Sequence, residues 1–207
     1  MTPLCELARK YETDKGGQHY RYGGGDSDTN HNYTPVYHEL FGEHRDEVKH
    51  VLEIGVHAGS SLRMWKEYFP NAHIVGIDSN ADCLRHQEER ISVFTADQNN
   101  PRQLVEVLSK FDQDAPLFDL IVDDGSHVRE HQITSLKTLL PFVNVGGVYV
   151  IEDLGTAPGV EQFAPIFQSV PQELGSKFLA ICHVITGGLG PKVQPHEWLI
   201  TFERIAP

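Results

Sequence analysis

From residue 50 onward the sequence alternates short apolar runs with amphipathic stretches, and this alternation constrains the fold more than any other feature. HVLEIGV (50–56), HIVGIDS (73–79), ISVFTAD (91–97), FDLIVDDGS (118–126) and GGVYVIEDL (146–154) read as buried strands. SSLRMWKEYF (60–69), ADCLRHQEER (81–90), PRQLVEVLSKF (101–111) and VREHQITSLKTLLPFV (128–143) read as the helices between them. Strands that alternate with helices predict a parallel sheet covered on both faces. The end breaks this rhythm. KFLAICHVI (177–185) and EWLITFERI (197–205) are strand-like runs with no helix between them, and they predict an antiparallel hairpin completing a sheet of seven strands.

Ahead of this core, residues 3–11 and 35–47 are predicted to be helices, with Pro35 near the start of the second. Between them, residues 12–35 break every periodicity and are rich in Gly, Asp, Asn and His, as functional or disordered loops are. The expected organisation is therefore a helical and looped segment, 1–48, forming part of an active-site cover, and a core, 49–207. A length of 207 residues suits one α/β domain.

The formal net charge of −12 repels phosphate backbones, and no run of Lys and Arg offsets it, so nucleic acid is not an expected partner. Cys5, Cys83 and Cys182 are far apart and form no CxxC, which argues against a disulfide framework or a thiolate zinc site. The N-terminus has no apolar h-region and no run is long enough to span a bilayer. A cytoplasmic protein without a membrane partner is expected; a homo-oligomer is left open.

In open α/β sheets, ligands bind beyond the carboxyl ends of the strands, at the switch point. The first strand runs into Glu53-Ile54-Gly55-Val56-His57-Ala58-Gly59. A dinucleotide fingerprint from Gly55 would need glycine at 57 and 60, where the chain has His57 and Ser60, so the NAD reading is weakened. Asp78 ends the second strand at the distance expected of a ribose partner, and Asp97 ends the third. Each alone is about as good a helix cap as a ligand. Together with the glycine loop they favour a cofactor site.

The fourth strand ends in Asp123-Asp124-Gly125-Ser126-His127 and the fifth in Glu152-Asp153. Carboxylates crowded on one rim resist joint ionisation. A hard divalent cation, Mg²⁺ or Mn²⁺, removes that conflict. Neighbours on a strand point to opposite faces, so not all four carboxylates are expected to reach one ion. Helix caps and salt bridges are the bland alternative. On residues alone, His127 is as readily a bystander as a base.

E-x-G-x-x-x-G resembles motif I of class I S-adenosylmethionine-dependent methyltransferases, a Rossmann-like fold. DDGSH followed by IED, together with LARKYETDKG…HNYTPVYHELF, resembles the metal-dependent sugar O-methyltransferases of antibiotic biosynthesis, of the mycinamicin 2''-O-methyltransferase and rhamnosyl O-methyltransferase type. The likeness covers roughly residues 7–155. It implies S-adenosyl-L-methionine against Glu53, Gly55, His57, Gly59, Ser60, Asp78, Asp97 and Asp123. It implies Mg²⁺ or Mn²⁺ on Asp124, Glu152 and Asp153, and His127 as general base. The acceptor it implies is a hydroxyl of a small molecule, a sugar of a glycosylated natural product. Some members carry a large additional N-terminal domain, which this chain is read as lacking, so their assembly and acceptor contacts are not carried over. The alternatives are methylation of a catechol-like diol, an NAD-binding oxidoreductase, and a non-catalytic module that keeps the fold. His131, Tyr11, Tyr33, Tyr37, Asp14 and Lys15 are secondary candidates near the site, each with a packing, turn or solvated role as rival.

Overall fold

The computed structural model describes residues 1–16, 30–111, 117–154, 178–185 and 197–206. Most of the 12–35 loop and the connection 186–196 lie outside the described residues. The strands are β1 His50–Ile54, β2 His73–Asp78, β3 Ile91–Thr95, β4 Phe118–Asp123, β5 Val143–Ile151, β6 Phe178–Ile185 and β7 Glu197–Arg204. They form one sheet in the order β3-β2-β1-β4-β5-β7-β6. Neighbouring pairs from β3 to β5 are parallel, and β7 runs antiparallel to both β5 and β6. The C-terminal pair is therefore present, with β7 inserted between β5 and the edge strand β6. The order reverses between β1 and β4, so the loops after these two strands open the crevice in which such sheets bind ligands.

The helices are α1 Pro3–Tyr11, α2 Thr34–Phe41, α3 Ser60–Tyr68, α4 Pro101–Phe111 and α5 Arg129–Leu139. One sheet face is covered by a buried cluster that includes Tyr33, Tyr37, Phe41, Trp65, Tyr68 and Phe69. Leu104, Leu108, Leu136 and Leu139 of α4 and α5 cover the other. Each such side chain removed from water contributes about 1.5–3 kcal/mol before entropy is counted. None of the described helices is long and apolar enough to cross a membrane.

Several element boundaries differ from expectation. Residues 81–90 form a 3-10 helix, Ala81–His86, because Glu88 turns back to bond Ile91 and Arg90 adopts a φ of 60°. The helix expected over 35–47 stops at Phe41 and continues as turns. The helix over 128–143 ends at Leu139, where Leu140–Phe142 tightens to a 3-10 turn around Pro141. β5 starts at Val143, ahead of the Gly146-Gly147 pair. A Cβ at Gly147 would press on the Phe118, Asn144 and Asp119 carbonyls as the β4 register shifts.

The N-terminal segment reaches the sheet by a specific path. Thr2 caps α1 by accepting from the Cys5 amide at 3.2 Å. Glu12 ends the helix in the left-handed region, φ 56°. The chain then turns inward, and the carbonyl of Lys15 accepts from the Tyr33 and Thr34 amides at 3.0 and 3.1 Å.

Candidate active site

The turn after β1 is built for close backbone approach. Gly55 has a φ of 98°, and a Cβ there would collide with the Asp124 carbonyl. The Asp78 carboxylate, at the end of β2, holds the turn from the side, its Oδ2 accepting from the amides of Val56 at 2.9 Å and His57 at 3.1 Å. Burial works to raise the Asp78 pKa, but backbone donors from Asn80, His57 and Val56 outweigh it and hold the group ionised. Beside this turn lies a cavity of about 900 Å³, lined by residues that include Gly55, His57, Asp78, Asp97, Asp124 and His127. That volume suits a nucleoside cofactor with part of an acceptor.

The rim beyond β4 and β5 carries the charge. His127 Nε2 lies 3.2 Å from Asp124 Oδ1 and 3.6 Å from Asp153 Oδ2. Single ligand atoms of Asp124, His127 and Asp153 all fall within 4.8 Å of one another. The opposite oxygens of the two carboxylates are held from the N-terminal segment. Lys15 Nζ donates to Asp124 Oδ2, and the Tyr33 hydroxyl donates to Asp153 Oδ1 at 2.6 Å. Lys15 is 1% exposed and also meets Glu152 Oε2 at 2.5 Å and Glu53 Oε1 at 3.3 Å. Glu152 is fully engaged, since the Tyr37 hydroxyl donates to its Oε1 at 2.5 Å.

Burial acts to lower the Lys15 pKa, yet Asp124, Glu152 and Glu53 around it keep it charged. Burial acts to raise the Asp124 pKa, and Lys15 and His127 together push it well below the carboxylate range. The Asp124 hydrogen bond raises the His127 pKa to about 9, burial opposing it and Asp153 adding to it. Lys15 and the His127 imidazolium stand among the carboxyl groups of Glu53, Asp124, Glu152 and Asp153, and burial raises the pKa of Glu53 and, strongly, that of Glu152. The convergence of Asp124 and Asp153 oxygens fits a hard divalent cation.

Of the residues expected at the cofactor, Gly55, His57, Ser60, Asp78 and Asp97 line the cavity. Asp97 also accepts from the Asn99 amide at 2.8 Å, as a turn cap does. Glu53 is buried beneath the glycine turn, where it accepts from Ser61 Oγ at 2.7 Å, and Gly59 forms the left-handed entry to α3. Asp123 is elsewhere. It is fully buried on the opposite side of the sheet from Asp124 and accepts from Ser135, from Gln98 at 2.5 Å and from Tyr149 at 3.1 Å. Successive strand residues face opposite ways, so we place Asp123 outside the cofactor set.

Of the expected metal residues, Asp124 and Asp153 converge with His127, while Glu152 faces Lys15 and Tyr37. Among the secondary candidates, His131 lines the cavity and sits 2.9 Å from Ser126 Oγ. Tyr11 donates instead to Glu67 on the surface. Sequence reasoning missed the centrality of Lys15 and the cavity positions of Glu12 and Thr13. The TDKG stretch was the available signal, and it reads equally as a turn.

The chain is similar to known methyltransferases. A family model described as a methyltransferase domain matches residues 52–154. Demethylmacrocin O-methyltransferase of Streptomyces fradiae is 40% identical over 161 residues, covering 74% of this chain and 37% of that protein. Mycinamicin VI 2''-O-methyltransferase of Micromonospora griseorubida is 36% identical over 203 residues, covering 94% of this chain and 46% of that protein. The chain thus spans less than half the length of these two relatives. The MycE methyltransferase of the mycinamycin biosynthetic pathway, solved in complex with Mg and SAH, superposes with a TM-score of 0.70 at 28% identity. The match covers 99% of this chain and 55% of MycE. A further MycE structure holds Mg, SAH and mycinamycin VI.

Proposed function

The chain belongs to the methyltransferase family, and we propose that it carries a methyl group from S-adenosyl-L-methionine to a sugar hydroxyl of a glycosylated natural product, assisted by Mg²⁺ or Mn²⁺. The observation that carries this reading is the convergence of Asp124, Asp153 and His127 on the rim of the glycine-turn cavity. The relatives support the acceptor class, since their names place the methyl group on sugars of antibiotics. The acidic surface fits a small-molecule acceptor, and nucleic acid and membrane are not among the proposed partners. A cytoplasmic setting is part of the proposal.

Residues 1–48 serve, in this reading, as part of the cover of the site, through Glu12, Thr13 and Asp14. The cofactor's backbone-facing groups pack against the Gly55 turn, and Asp78 and Asp97 take hydroxyl and amino groups of the nucleoside. Asp124 and Asp153 hold the cation, with Glu152 braced behind them. Such a cation supplies Lewis acidity that makes an acceptor hydroxyl easier to deprotonate. A hard cation favours oxygen over imidazole; held on Asp124 and Asp153, it would offset the carboxylate charges that keep the His127 imidazole protonated in the cation-free site and so free Nε2 to accept the proton. The acceptor oxygen would then bond the methyl carbon as the carbon–sulfur bond breaks and S-adenosylhomocysteine leaves, a displacement that requires the three atoms to be held in line.

The test is direct. The protein is incubated with S-adenosyl-L-methionine, Mg²⁺ and a panel of rhamnosylated and catechol acceptors, and products are read by mass spectrometry. Methylation of a sugar hydroxyl is expected. Transfer to catechols alone would overturn the acceptor class, and hydride exchange with NAD would overturn the reaction.

A further inference from the structure

We propose that Lys15 is a positioning residue: its ammonium fills the inner half of a four-carboxylate cluster and so confines a divalent cation to the outer pair, Asp124 and Asp153. The proposal rests on the metal-assisted reading above and adds to it the residue that selects where the ion sits.

Four carboxylates from three strand ends meet here, and they fall into two groups. Glu53 and Glu152 are buried and do not line the cavity, whereas Asp124 and Asp153 do. Three of the four inner oxygens accept hydrogen bonds, and the fourth, Glu53 Oε1, has only the Lys15 ammonium beside it. Glu53 Oε2 accepts from Ser61 and its Oε1 faces Lys15 at 3.3 Å. Glu152 Oε1 accepts from Tyr37 and its Oε2 from Lys15, both at 2.5 Å. Asp124 is the hinge between the groups, with Oδ2 on Lys15 and Oδ1 toward His127 at 3.2 Å. On Asp153, Tyr33 takes Oδ1, leaving Oδ2 toward His127 at 3.6 Å. The oxygens that remain directed at one point are therefore those beside the cavity and beside the proposed base.

Lys15 is delivered to this place by backbone rather than by chance of rotamer. The amides of Tyr33 and Thr34 bond its carbonyl, His31 bonds the Asp14 carbonyl at 2.8 Å, and Asn32 bonds that of Gly16 at 2.9 Å. A compact ammonium on a long apolar stem reaches a buried acid cluster as a point charge, which a guanidinium fork does not match. Without that ammonium, the Asp124 and Glu152 oxygens that Lys15 now occupies would be open to a divalent ion, whose charge would offset the burial that raises the Glu53 and Glu152 pKa values. An ion held there would lie behind the rim, out of contact with an acceptor and with His127.

Mn²⁺ titration of S-adenosylhomocysteine-loaded protein, by calorimetry and without turnover, tests the proposal. Lys15→Met should bind Mn²⁺ more tightly than wild type, by about tenfold or more, because a like charge a few ångströms away is gone. Its methyl transfer should fall at the same time, with the affinity for S-adenosylhomocysteine unchanged. A purely structural role would move affinity and activity down together. The double variant Lys15→Met/Glu152→Gln keeps the buried charge balanced and carries the test if the single variant does not fold. It should hold Mn²⁺ at least as tightly as wild type, since Asp124 and Asp153 retain the ion. Unchanged or weaker Mn²⁺ binding in Lys15→Met, or a tenfold loss in the double variant, would overturn the proposal. A wild type that binds no Mn²⁺ would instead overturn the metal-assisted reading on which it rests.

Discussion

His127 Nε2 faces Asp153 Oδ2 at 3.6 Å, and both residues hold a left-handed backbone, with φ of 55° and 53°. Side chains other than glycine rarely adopt that region, and each such residue stores roughly 1–3 kcal/mol of strain. These two face each other across the rim of the cavity. If His127 accepts the acceptor's proton, His127→Ala should lower kcat by about 10²–10⁴-fold, with little change in affinity for cofactor or Mn²⁺. A loss of less than about tenfold at saturating substrates would show that another group takes the proton.

The raised His127 pKa has a consequence for stability in the cation-free protein. The folded value, about 9, lies above the ordinary 6.5, so the imidazolium stabilises the fold. That contribution is complete below about pH 6.5 and is lost as pH rises through about 9. Thermal melts in chelator should therefore show wild type losing stability over this range more steeply than His127→Gln. Parallel curves for the two proteins would contradict the assignment.

Gly55→Ala should remove S-adenosylhomocysteine binding. The φ of 98° strains any side chain there, and the added Cβ strikes the Asp124 carbonyl. We expect a stability loss of about 1–3 kcal/mol as well, read by denaturant unfolding. Retained cofactor affinity in a folded variant would place the cofactor elsewhere.

Asp78→Ala should weaken S-adenosylhomocysteine binding by about 1–3 kcal/mol, the cost of leaving polar partners unpaired. Part of the effect comes through the turn, because Asp78 also holds the Val56 and His57 amides. Calorimetry should show Mn²⁺ affinity unaltered, since Asp78 is not one of the converging carboxylates.

The strands were legible because buried parallel strands are written as near-continuous apolar runs, as in LIVD and VYVI. The alternation of strand faces also separated Asp123 from Asp124 in principle, but assigning which one faced the cavity required the register with α5 and Ser135. Glu152 and Asp153 pose the same problem at the end of β5. Lys15 was not legible as the centre of the acid cluster. Its partners Asp124 and Glu152 lie 109 and 137 residues away in sequence, and no local periodicity encodes such a contact. The 81–90 segment misled because its composition is helical, whereas the backbone turns at Glu88 and Arg90 to start β3.

Cation-assisted methyl transfer at Asp124 and Asp153 is tested by a single assay. Methyl transfer to a rhamnose-bearing acceptor is measured for wild type in EDTA, then after Mg²⁺ or Mn²⁺ is restored, with Asp124→Asn run alongside. Wild type should show no turnover in EDTA and recovery with either ion, and Asp124→Asn should not recover although that variant still binds S-adenosylhomocysteine. Full turnover in EDTA would contradict cation assistance.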